Sequence, residues 1–198
     1  GIFRAANLIG SRATEQITDF SLKAENEMTY DPRMYITTGL LHMVEPRPPV
    51  SELHEVSRSV VQWLEWVQNQ KDAYLSSDVI RAIAQKFWGS ELAADFSTYE
   101  GKALAAKIVQ DREYVKECLI LCDLFWPIMY AKNSENHLGD PSIESKLVSA
   151  VTGKELDENE LYRLGERVFN LQRAILLREG HQGREDDTLP EFFYKVDY

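Results

Sequence analysis

Cysteine is almost absent from this sequence: Cys118 and Cys122 are the only two in 198 residues. That excludes a disulfide framework, and two thiols without one fit a reducing, cytoplasmic compartment. Basic residues are scarce as well, with 22 Lys and Arg against 32 Asp and Glu, a net charge of −10. Binding nucleic acid requires cations to neutralise phosphates, so a nucleic-acid partner is excluded. Anionic lipid meets the same unfavourable sign. No apolar run reaches the roughly 18 residues of a membrane span. The opening GIFRAANLIG has neither a charged n-region nor a cleavage site. It lacks an initiating Met and starts inside an amphipathic pattern (Ile2, Ala5, Ala6, Ile9), as expected of a piece cut from a longer protein. Sustained strand alternation, internal repeats and low-complexity tracts are all missing. So are a Gly-rich phosphate loop, a Ser/His/Asp pattern and an HExxH motif.

What is present is core material at helical spacing. Hydrophobic residues make up 44%, including four Trp, eight Phe and nine Tyr, which is enough for one sizeable core. A first helix ends at Gly10, and Ser11 to Glu27 is polar and irregular. TYDPR (29–33) signals a turn, because Pro32 pushes Asp31 out of the helical region. The Pro-rich EPRPPV (45–50) must be a loop. From Ser51 to about Asn69, Leu53, Val56, Val60, Leu64 and Val67 predict a helix. A second runs from Ser77, read as its N-cap, to Trp88, with Gly89 stopping it. The longest is expected from Lys102 to Phe125, with Leu104, Ile108, Val115, Leu119 and Cys122 as its seam and Pro127 breaking it. A short helix follows over Pro141–Val151. The last begins with a capping box at Asp157 and Glu160 and buries Leu161, Leu164, Val168, Leu171 and Ile175, with Gly180 at its end. The expectation is an all-α, multihelical single domain over 1–198, with about six helices, no significant sheet, and the Pro-rich loop as the one candidate boundary.

Chemistry-bearing residues are few. The spacing of Cys118 and Cys122 allows both to share one helical face, where small apolar packing is the ordinary role of buried cysteine. Neither a thioredoxin-type nor a zinc spacing is present, and two thiols are too few for an iron–sulfur cluster. His54 and Glu55, on the first helical turn after the Pro-rich loop, suit either a general acid or base or an ordinary polar face. His42, His137 and His181 have no ligand-like partners nearby in the sequence. Around Arg184, Asp186 and Asp187, an ion-paired turn anchoring the C-terminus is favoured over a binding site.

Three segments, in order, carry a family resemblance. TYDPR (29–33), Gly39-Leu40 and PRPPVSELHE resemble the AYDPRG…GLGYAT…RGGCH region of aldehyde:ferredoxin oxidoreductases. KECLILCD (116–123) is placed like that family's second pterin motif, Asp-x-x-Gly-Leu-Cys. LGERVFNLQRAILLREG…REDDTLPEFF (164–193) is similar to the family's C-terminal ending, and is the most specific match. The resemblance implies a parent enzyme that oxidises aldehydes, or transforms a related acid derivative. Its cofactors would be a tungsten or molybdenum bis-pterin and a [4Fe–4S] cluster, with ferredoxin or a similar carrier taking the electrons. N-terminal domains of the same parent would supply the other three cluster cysteines and the pterin floor. Carried over by position, Cys122 is the fourth cluster ligand, Leu121 precedes it, and Glu117 replaces the motif's pterin-binding aspartate. The motif's glycine is Ile120, which removes a site of close backbone approach. The family's metal-proximal histidine aligns with Ser51, leaving His54 three residues further on as the candidate acid or base. The isolated chain is then expected to be inactive and to hold no cofactor, with an apolar patch exposed around Leu119, Cys122, Phe125 and Trp126. The alternative is a helical interaction module that has lost the chemistry.

Overall fold

The computed structural model describes residues 4, 8–10, 32–33, 36–45, 55–122 and 128–195. Among these, seven α-helices and two short 3-10 turns occur and no strand, so the fold is all-α. The helices are α1 (Ile36–Val44), α2 (Glu55–Val67), α3 (Ser77–Phe87), α4 (Lys102–Cys118), α5 (Ile143–Thr152), α6 (Glu158–Arg178) and α7 (Phe192–Lys195). The 3-10 turns are Glu91–Ala94 and Gly183–Glu185. No described helix is long and apolar enough to cross a membrane. The expected irregular segment 11–27, most of the Pro-rich loop, Ser51, Leu53, His54, Phe125, Trp126 and Pro127 lie outside the described residues.

Local signals set the helix ends. Asp157 accepts the Glu160 N–H at 2.7 Å while Glu160 accepts the Asp157 N–H at 3.0 Å, the predicted capping box. The N-cap of α3 is Ser76, one residue before the expected Ser77, because its hydroxyl reaches the Val79 N–H. The core gathers Leu41 from α1, Val56 and Val60 from α2, Ile83 and Phe87 from α3, and Ala105 and Val109 from α4.

Two seams differ from expectation. Of the five positions predicted along the longest helix, only Val115 is buried, and Leu104 is half exposed. Helix α4 is instead covered by α1, α3 and α6 and buries Ala105, Val109, Arg112 and Lys116. On α6, Leu161 is buried as expected, whereas Leu164, Leu171 and Ile175 are exposed. That helix meets α4 through Tyr162, Gly165, Phe169 and Gln172, a heptad-like spacing in which no member is aliphatic. At Gly165 a Cβ would sit 1.9 Å from the Asp111 carbonyl oxygen, so the closest approach of the two helices requires glycine.

Candidate functional site at the end of the central helix

The first turn of α2 delivers a carboxylate into the core. Glu55 is completely buried and takes hydrogen bonds from Trp88 Nε1 at 2.8 Å, Arg112 Nε at 2.9 Å, Arg112 Nη2, and Lys116 Nζ at 3.3 Å. Lys116 also donates to Glu113 at 2.9 Å, giving two acids and two bases sealed together. Burial alone would raise the Glu55 pKa. The Arg112 and Lys116 charges, with the hydrogen bonds from Arg112 and Trp88, outweigh it and hold the carboxyl at about 2. Arg112 lies over the rings of Phe87 and Tyr162 at 5.5 and 5.7 Å, which fixes its guanidinium plane. Burial pushes the Tyr162 hydroxyl up to about 12.

Glu45, at the other end of the Pro-rich segment, is buried with Oε2 3.2 Å from the Tyr114 hydroxyl, which also lies 2.6 Å from Gln172 Oε1. Both flanks of the segment carrying Ser51 and His54 are thus fastened to the same stretch of α4. His54 itself lies outside the described residues.

Immediately beyond that stretch, α4 stops. The Leu121 N–H donates to the Lys116 carbonyl at 2.8 Å and the Ile120 N–H to the Glu117 carbonyl at 3.1 Å, the two bonds of a Schellman turn. Ile120 occupies the left-handed position of that turn (φ 59°) and is 93% exposed. A helix through to Phe125 is therefore corrected: α4 ends at Cys118, and Cys122 lies past the turn rather than on Cys118's helical face. The physical reason is the left-handed residue, which turns the chain away from the helix axis. Cys118 is exposed and Cys122 partly buried, neither in a disulfide. Glu117, Leu119 and Leu121 are also partly exposed. Among the described residues no three His, Cys, Asp or Glu side chains converge as a metal site.

At the opposite end of the fold, the turn and tail segments meet. A Cβ on Gly39 would lie 3.0 Å from Pro32 and 3.6 Å from Leu189, and Arg33 sits 5.7 Å from the Phe193 ring centroid. Arg173 grips Asp187 with two hydrogen bonds of 2.9 and 2.7 Å, so the expected ion-paired anchor of the C-terminus draws its cation from α6 and not from Arg184. His181, for which the sequence offered no partner, has Nε2 3.5 Å from Asp187.

A family model for aldehyde ferredoxin oxidoreductase, domains 2 and 3, matches residues 1–197. The chain belongs to that family. No solved structure matches it. Within an aldehyde ferredoxin oxidoreductase-type lobe, Ile120 acquires a physical meaning. The family glycine of the Asp-x-x-Gly-Leu-Cys motif falls on the one residue of the turn with positive φ. What the sequence missed is Glu55 as a buried hub. Its partners are 33 to 61 residues away in the chain, and no local pattern marks them.

Proposed function

We propose that this chain works as the helical lobe of a larger tungsten- or molybdenum-pterin oxidoreductase, with Cys122 as one thiolate ligand of a [4Fe–4S] cluster. The carrying observation is the Schellman turn: it ends α4 at the motif and leaves Cys122 outside the helix, on a partly exposed turn. A single thiolate fits one iron and no more, so the remaining ligands must come from elsewhere in the parent. Leu121 and Glu117 would border the pterin, Glu117 offering a carboxylate one methylene longer than the family's aspartate. When bound, the metal–pterin group supplies two-electron redox chemistry at the substrate carbonyl, and the cluster relays electrons to ferredoxin or a similar carrier.

This chain's own residues would hold that chemistry in place. The Glu55 hub and the Glu45–Tyr114 contact fasten the described flanks of the segment that carries His54 to α4. His54 is the proposed proton donor or acceptor near the metal. Two free thiols support a reducing cytoplasmic setting. A second reading, an interaction module without redox chemistry, is favoured by Ile120 and Glu117 standing where the family motif has glycine and aspartate.

Electron paramagnetic resonance of the reduced full-length parent separates the two. Cys122→Ser should disturb the cluster signal while Cys118→Ser leaves it intact, since thiolate is the natural iron ligand. Equal loss in both variants removes the ligand assignment, and a parent without cluster signal favours the module.

A further inference from the structure

Between α1, α4 and the Gly183–Glu185 turn runs a cleft of about 510 Å³, within the range of small-molecule sites. Leu40, Met43 and Val44 form one wall, and Ala103 and Ala106 keep the α4 wall low. Four groups in its lining are polar: Lys107, Gln110, Arg184 and Asp187. Two of them are already engaged. Asp187 is held by Arg173 at 2.7 Å, with His181 Nε2 3.5 Å away. Lys107 donates to Asp111 at 2.6 Å and lies 3.6 Å from Glu166.

The other two are donors without an acceptor. Gln110 is 7% exposed, and its Nε2 is sealed from solvent with no hydrogen-bond partner among the described residues. Buried amide donors are nearly always satisfied, so one left over in a cleft wall points to a missing acceptor. Arg184 is exposed at the mouth and pairs with none of the described acids, although Asp187 stands three residues away. A guanidinium and an amide over an apolar trough complement a negatively charged, planar acceptor on a hydrocarbon body.

We propose that this cleft binds a small monocarboxylate with an aliphatic or aromatic body: the carboxylate pairs with Arg184 and draws the Gln110 amide, sealed in the wall of the empty cleft, round to meet it, and the hydrocarbon lies along Leu40, Met43 and Ala103. Phosphate groups are disfavoured, because among the described residues only one uncommitted cation lines the cleft, and the Asp187 carboxylate lines it too. The inference uses this chain's own residues and no cofactor, so it can fail while the proposed function stands.

Calorimetric titration of the 198-residue chain with octanoate tests it, with octan-1-ol as the uncharged analogue. About 0.15 M salt screens the long-range field of the net charge of −10. Octanoate should bind saturably at one site, and octanol at least tenfold more weakly. Arg184→Gln should weaken octanoate about tenfold, the size of a lost charge-assisted hydrogen bond. Ala103→Phe, at an exposed position, should fill the cleft and abolish binding while the melting temperature holds. Gln110→Leu should weaken binding without lowering the melting temperature, since it removes an unsatisfied donor. Absence of saturable binding, equal affinity for octanol, or octanoate binding retained in Ala103→Phe each overturns the proposal.

Discussion

Glu45 and Glu55, which flank the Pro-rich segment, fasten to α4 within a single helical turn of each other: Glu45 at Tyr114, Glu55 at Arg112 and Lys116. The segment between them is pinned at both ends to the turn that precedes the Cys122 motif. Removing one partner of such a buried pair leaves an uncompensated charge, which costs about 3–5 kcal/mol. Glu55→Gln should therefore lower unfolding free energy by that order in urea titration, a large part of a domain's total stability. A loss below about 1 kcal/mol would show that the hub is not a stability element.

The same hub sets an acid limit. The Glu55 carboxyl is lowered from 4.5 to about 2 in the fold. Its contribution is fully present above the unfolded value and is lost as pH falls from about 4.5 toward about 2. Stability measured across that window should decline more steeply in the wild-type chain than in Glu55→Gln. Parallel profiles would mean that other carboxylates carry the acid sensitivity.

Ile120 holds a left-handed conformation that costs a side-chain-bearing residue about 1–2 kcal/mol. Being 93% exposed, it offers almost no packing in return. Ile120→Gly should relieve the strain, offset in part by the greater freedom of glycine in the unfolded chain. A net gain of about 1 kcal/mol, or a rise of roughly 2–4 °C in melting temperature, is expected. An unchanged or lower melting point would count against the turn.

Gly165→Ala tests the helix crossing. The added Cβ meets the Asp111 carbonyl oxygen at 1.9 Å, so α4 and α6 must separate. Overpacking of this kind costs about 1–3 kcal/mol. Thermal denaturation should register it, whereas the same change at Gly153, where a Cβ meets nothing within 4 Å, should cost less and only through its positive φ.

In the full-length parent, His54→Gln should reduce turnover by roughly two to four orders of magnitude if His54 moves a proton in the limiting step. Steady-state rates at full cofactor loading decide this. An unchanged rate returns His54 to the polar surface.

Local chemistry was legible in advance and distant chemistry was not. The Asp157–Glu160 box, the stop at Gly89 and the all-helical class follow from residues within a few positions of one another. The seam of α6 was placed rightly at Leu161 but wrongly at Leu164, Leu171 and Ile175, because the contacts at Tyr162, Gly165, Phe169 and Gln172 form no aliphatic repeat, while exposed Leu164 and Leu171 continue one. The end of α4 escaped because Ile120 stands where a glycine would have announced the turn. Glu55 and Arg112 lie 57 residues apart, and neither carries any local mark of the other.

The buried charges on α4 also determine which misassembled packings are tolerable. Sliding α4 by one helical turn toward its N-terminal end would put Lys116 at the place of Arg112 and Ile120 at the place of Lys116, leaving Glu55 with one cation instead of two. Sliding the other way would set Ile108 against Glu55. Each slipped arrangement takes one of two cations from a fully buried carboxylate, whereas an aliphatic helix in the same position could shift with little penalty. The ionic hub thus acts as a register key, favouring the one alignment of α4 that brings Arg112 and Lys116 together on Glu55.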